Sequence, residues 1–98
     1  MTINKIKNGE KLTLAIEGRV DTMTSPELEE TVKDSVGDIT NLVIDLKDVD
    51  YISSAGLRVL LGAHKIMVKK GGMKIVNAGD SIMEIFEVTG FSDILDIG

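Results

Sequence analysis

Apolar residues alternate with polar ones near the start of the chain, a pattern that predicts β-strands. The segment Lys11 to Glu17 has an aliphatic side chain at every second position, as a half-buried strand does. Asn8-Gly9 is a favoured two-residue hairpin turn, so it predicts antiparallel pairing with a short first strand over Ile3 to Lys7. Gly18 is expected to end the second strand.

Three later stretches carry apolar residues at intervals of three or four, the spacing of one face of a helix. The first follows Thr24 to Glu27, where a hydroxyl cap, a proline and an acid form a typical helix start. The second spans Leu57 to Val68 and is expected to end at Lys69 to Gly72, because cations and glycines favour helix termination. The third begins at the Asp80-Ser81 cap and ends near Gly90.

The segments between the helices predict further strands. Leu42 to Leu46 is a run of aliphatic residues typical of a central strand covered on both faces, and Lys47 to Asp50 after it resembles a turn. Met73 to Asn77 predicts another strand, and Phe91 to Gly98 is too short for more than a helical turn or an edge strand. Strands that alternate with helices pair in parallel through crossovers. We therefore expect one α/β domain over residues 1–98, with a mixed, mostly parallel sheet of four to five strands and helices packed against it.

Composition narrows the classes of function. The 98 residues include 16 acidic and 11 basic ones, and a net charge of -5 argues against a nucleic-acid-binding surface, which needs clustered cations. No cysteine is present, which excludes disulfides, thiolate metal sites and cysteine nucleophiles. No stretch approaches the ~20 apolar residues of a membrane span. We expect a cytoplasmic protein for which a monomer is adequate.

A pair of hydroxyls, Ser53 and Ser54, lies where a predicted strand gives way to a predicted helix. Either serine could serve as the helix N-cap, which is worth about 1 kcal/mol over alanine. A helix N-terminus also carries roughly +0.5 of an elementary charge and unpaired N–H groups, so it tolerates a phosphoryl group. The residues alone leave both roles open.

A serine hydrolase is the enzyme alternative that such a turn suggests. The only histidine, His64, lies ten residues beyond Ser54, which is about 15 Å along one helix and beyond hydrogen-bond reach. Ile52 also stands where a nucleophile elbow has its first glycine. These observations argue against catalysis by the serine.

Metal or cofactor binding finds little support in the sequence. Asp45, Asp48 and Asp50 lack the glycine and closing glutamate of a calcium loop, so they predict a solvated acidic turn. Gly71-Gly72 lacks the Gly-Lys-Ser/Thr of a phosphate-binding loop and is better explained as a helix end. We expect no metal and no cofactor.

The segment Asp45 to Leu61 resembles the signature of the STAS family, specifically the bacterial anti-sigma factor antagonists. Gly18 to Asp21 before the first helix supports the resemblance, as does the element order over essentially the whole chain. In that family an anti-sigma factor that is also a serine protein kinase phosphorylates the serine after the Asp of Asp-Ser-Ser/Thr/Ala-Gly-Leu. The resemblance implies that the unphosphorylated protein binds the anti-sigma factor and releases the sigma factor. Phosphorylation would break that complex, and a serine phosphatase would restore it.

The match to the family motif assigns expected roles residue by residue. Ser54 falls at the phosphorylated position, and Ser53 replaces the Asp, which makes it a rival acceptor. Asp21 matches an acidic loop residue that helps partner recognition near the phosphorylation site. The resemblance implies a phosphoryl acceptor and not an enzyme. The expected partner-binding residues are Asp21, Ser53, Ser54, Ala55, Gly56 and Leu57.

The substitution of Ser53 for the aspartate leaves a second hypothesis open. The chain could be a non-switching STAS scaffold, a subunit of a transporter or sensory complex, in which the serines only cap a helix.

Overall fold

A five-stranded mixed sheet carries three α-helices in the computed structural model, which describes all 98 residues. The strands are β1 (Thr2–Asn8), β2 (Lys11–Val20), β3 (Asn41–Ile52), β4 (Met73–Val76) and β5 (Asp96–Ile97). The helices are α1 (Ser25–Ser35), α2 (Ser54–Met67) and α3 (Asp80–Thr89), with short 3-10 turns at Val36–Asp38 and Phe91–Asp93. The last segment thus forms both a helical turn and an edge strand.

The strands lie in the sheet in the same order as in the chain. The first two form an antiparallel hairpin and each later neighbour pairs in parallel, which confirms the predicted mixed, mostly parallel sheet. Every crossover moves one strand further in the same direction, so right-handed connections place all three helices on one face. None of these helices combines the length and the apolar character needed to cross a membrane.

The central strand β3 is covered on one face. Leu42, Ile44 and Leu46 are buried beneath the helices, whereas Val43 and Asp45 between them are only half-buried. The expectation that both faces are covered is therefore wrong, because the helices all occupy the same side. The core lies between that side of the sheet and the helices, where residues such as Phe86 are fully buried.

Strands β2 and β3 are longer than the sequence pattern predicts. Gly18 does not end β2, which continues to Val20, and Lys47 to Asp50 is not a turn, since β3 continues to Ile52. The pairing accommodates these residues through two register shifts, one of them directly after Gly18 at φ +102°. The extra length carries the ends of both strands to the same edge of the molecule.

Candidate functional site

The carboxyl ends of β2 and β3 lie side by side and bring two loops together. Val20 and Ile52 are partners in the parallel register, and the Ser53 N–H donates to the Val20 carbonyl at 2.8 Å. The loop that begins at Asp21 and the turn that contains Ser54 therefore leave the sheet next to each other. Strand pairing, and not sequence proximity, joins these two parts of the candidate site.

The two serines have different environments. Ser53 is the N-cap of α2, and its Oγ accepts from the Gly56 N–H at 3.4 Å while its backbone remains extended. Ser53 is half-buried, whereas Ser54 is the first residue of α2 and is exposed. Ser53 therefore caps the helix, and Ser54 presents the hydroxyl that another protein can reach.

Gly56 allows α2 to begin directly against the strand ends. A Cβ at this position would lie 2.7 Å from Val20 Cγ1 and 2.8 Å from Ile52 Cγ1, closer than carbon atoms pack. Leu57 is 5% exposed and belongs to the core, and Ala55 is half-buried. Of the expected partner-binding residues, Gly56 and Leu57 therefore form the base of the turn and do not belong to its surface.

The Asp21 carboxylate is held in a fixed position by the loop that precedes α1. Its Oδ1 accepts from the backbone N–H groups of Met23 and Thr24, each at 3.0 Å, and from the Thr24 hydroxyl at 3.2 Å. The Thr24 N–H is the main reason that the pKa of Asp21 lies below its usual range, and the nearby Arg19 charge lowers that pKa further. Thr24 itself makes no side-chain cap bond, contrary to expectation, because its hydroxyl accepts from the Asp21 N–H at 2.9 Å and lies 2.8 Å from the Arg19 carbonyl oxygen.

Arg19 and Tyr51 also lie at these strand ends, and the sequence pattern does not reveal that they belong to the site. They are register partners on β2 and β3, and the Arg19 guanidinium carbon lies 4.5 Å from the centre of the Tyr51 ring. Arg19 Nε also lies 3.6 Å from Asp21 Oδ2. Met23, at 86% exposure, extends into solvent beside this group. An ionised carboxylate and an exposed apolar side chain thus adjoin the serine turn.

A shallow groove of about 200 Å³ runs between the first turns of α1 and α2. Thr22 and Glu29 line one side, and Ala55 and Arg58 line the other. A larger cleft, of about 400 Å³, lies at the opposite end of the parallel strands, where they begin. It is therefore remote from the serine turn.

Ser54 has no histidine beside it that could act as a catalytic base. His64 lies on the same helix, ten residues away, and is half-buried with its Nδ1 unpartnered. Asp45, one of the three aspartates expected in a solvated acidic turn, has a structural role. Its Oδ1 accepts from the Lys47 N–H at 3.0 Å and from Asn77 Nδ2 at 3.1 Å. The site can present a hydroxyl for modification by another protein.

Known proteins resemble this chain in sequence and in fold. The model of the STAS domain family matches residues 2–98. An anti-sigma-B factor antagonist of Bacillus subtilis is 35% identical over 92 residues, which cover 93% of this chain and 84% of the relative. A crystal structure of an anti-sigma factor antagonist from Mycobacterium paratuberculosis superposes with a TM-score of 0.89 at 26% identity, over 98% of this chain and 83% of that one.

The fold is also shared with a more distant protein. The Bacillus cell fate determinant SpoIIAA, solved in its phosphorylated form, matches with a TM-score of 0.77 at 13% identity, over 99% of this chain and 91% of that one. The family match spans nearly every residue, and the overall fold of the chain is the fold of these solved structures. The chain therefore belongs to the STAS domain family.

Proposed function

We propose that this protein is an anti-sigma factor antagonist: it binds an anti-sigma factor while Ser54 is unmodified, and phosphorylation of Ser54 ends that binding. The observation that carries the proposal is the exposed Ser54 at the start of α2, beside the loop of the ionised Asp21. The similarity to anti-sigma-B factor antagonists over most of both chains supports it. Release of the sigma factor follows when the antagonist occupies the anti-sigma factor.

Ser54 is the acceptor that we favour over Ser53. The Ser53 Oγ already accepts a hydrogen bond from the Gly56 N–H and is half-buried, so a kinase would have to open the helix cap to reach it. The Ser54 side chain can enter a kinase active site without such a change. We propose further that the protein is not an enzyme. The partner kinase supplies the catalytic groups and ATP, and a serine phosphatase removes the phosphoryl group in the cytoplasm.

Phosphorylation would change the charge of the surface and leave the fold unchanged. A phosphoryl group adds about -1.5 to -2 charges at pH 7. The free N–H groups at the start of α2 stabilise that charge, so α2 stays in place. A partner surface that fits the neutral hydroxyl and the Asp21 carboxylate would meet a strongly anionic group instead. Like-charge repulsion and the cost of desolvating the phosphate then weaken the complex.

Phosphosite mapping with separate serine variants tests the proposal. The protein is incubated with ATP and the serine kinase that binds it, and the phosphate is located by mass spectrometry. We expect the phosphate on Ser54 in the wild type and in Ser53→Ala, and none in Ser54→Ala. Modification of Ser53 alone would contradict our assignment, and a bound kinase that modifies neither serine would favour the non-switching scaffold.

Binding measurements test the consequence of phosphorylation. Ser54→Ala should bind the anti-sigma factor as the wild type does, because it keeps the turn neutral. Ser54→Asp should bind more weakly, since it places a carboxylate at the same position. Equal affinity of the two variants, measured by titration calorimetry, would show that the serine turn lies outside the interface.

A further inference from the structure

Arg58 is a cation without a partner close to the proposed phosphorylation site. It lies on α2 four residues after Ser54, is exposed, and lines the groove beside the serine turn. The three ion pairs of the structure involve Lys7, Arg19 and Lys33, so Arg58 belongs to none of them. Helix α2, SAGLRVLLGAHKIM, contains no acidic residue that could neutralise Arg58.

The position of Arg58 on the helix directs it toward Ser54. Residues four apart on a helix are neighbours, with Cβ atoms about 5–6 Å apart. Long helical side chains lean toward the preceding turn, so Arg58 extends toward the start of α2. An anion four residues before a cation is also the more favourable order of such a pair. The chain already contains one pair of this geometry on α1, where Lys33 Nζ lies 3.8 Å from Glu29 Oε1.

We propose that Arg58 binds the phosphoryl group of phosphoserine 54 and holds it against the first turn of α2. This inference rests on the proposed function, since it assigns a partner to the phosphate that the switch requires. A guanidinium can donate two parallel N–H bonds to phosphate oxygens, which an ammonium cannot match in geometry. Phosphorylation then has two effects on the surface: it adds an anion at Ser54, and it withdraws the Arg58 cation from the groove.

The other charged groups near the serine turn and the groove have their own partners. Glu29, which faces Arg58 across the groove from α1, pairs with Lys33. Asp21 and Arg19 at the end of β2 interact with each other. Arg58 is therefore the cation left free for the phosphate.

Titration of the phosphate tests this contact. Phosphoserine is incorporated at position 54 during translation, and its second pKa is measured by phosphorus NMR in the otherwise wild-type chain, in Arg58→Ala and in Lys65→Ala. Lys65 is the matched control, because it is an exposed cation on α2 that lies 11 residues from Ser54, about 16 Å along the axis. We expect Arg58→Ala to raise the second pKa by roughly 0.3 to 0.7 of a pH unit, and Lys65→Ala to leave it nearly unchanged.

The outcomes separate this inference from the proposed function. Equal shifts in the two variants would indicate a general charge effect and would overturn the Arg58 contact, as would no shift in Arg58→Ala. Neither result depends on a kinase, because the phosphoserine is installed during translation. The proposed function fails by a different result, namely that the phosphoserine 54 protein binds the anti-sigma factor as tightly as the unmodified protein.

Discussion

Replacing Gly56 with alanine tests whether close packing of α2 on the strand ends fixes the serine turn. The added Cβ would lie 2.7 Å from Val20 Cγ1, 2.8 Å from Ile52 Cγ1 and 3.1 Å from the Val20 carbonyl oxygen. Carbon atoms pack at about 3.5 to 4.0 Å, so the methyl group overlaps two side chains that are themselves buried. Overpacking of this kind costs about 1 to 3 kcal/mol of the free energy of unfolding.

Gly62 on the same helix provides the matched control. It is exposed, and a Cβ built there has no neighbour within 4 Å. Alanine is favoured over glycine by about 1 kcal/mol inside a helix, and this gain is larger for Gly62, because Gly56 lies in the first turn of α2, so it cannot mask the cost of overpacking at Gly56. We expect Gly62→Ala to be more stable than Gly56→Ala by about 1 to 3 kcal/mol in urea unfolding. For a domain of this size each 1 kcal/mol shifts the midpoint of thermal unfolding by about 4 to 8 °C. Stabilities that agree within about 0.5 kcal/mol would refute the packing argument.

The remaining predictions also concern the free energy of unfolding in urea. Ser53→Ala should lose about 0.5 to 1 kcal/mol with the N-cap, while Ser54→Ala should stay within about 0.5 kcal/mol of the wild type. Asp21 has a folded pKa below its unfolded value, so its contribution is present above the unfolded pKa and lost as the pH falls through the folded one. Asp21→Asn should therefore lose less stability than the wild type as the pH is lowered below about 4, and parallel pH profiles would contradict this. Asn77 has φ +58°, and both Asn77→Ala and Asn77→Gly lose its bond to Asp45, so Asn77→Ala should be less stable than Asn77→Gly by about 1 kcal/mol.

The element order follows from the sequence because the apolar period changes clearly between strands and helices. The strand ends do not follow from this pattern. Gly18 and the segment Lys47 to Asp50 consist of residue types that favour turns, yet both remain paired in the sheet. The same residue types occur in bulges and in turns, so only pairing with a neighbouring strand distinguishes the two. The cap predicted for α3 is wrong by one residue, since Gly79 and not Asp80 is its N-cap.

The serine turn was visible in the sequence because it lies at a boundary between two strong periodic patterns. Its surroundings were not visible, because they depend on register. Arg19 and Tyr51 are 32 residues apart and meet only because β2 and β3 pair in parallel with a shift after Gly18. The role of Asp21 as the acceptor for the N–H groups before α1 likewise requires the loop conformation.

Ser53 marks the main departure from the family motif, and the structure explains why the turn tolerates it. Serine and aspartate are comparable N-caps, so the cap to the Gly56 N–H survives the exchange. The exchange does alter the charge of the turn. With no carboxylate at position 53 and no acid on α2, the start of the helix is free of negative side chains until Ser54 is modified. If Ser54 is the acceptor, phosphorylation takes this helix start from neutral to about -2, whereas an aspartate would have made it anionic in both states. The phosphoryl group therefore supplies all of the negative charge that α2 gains between the two states.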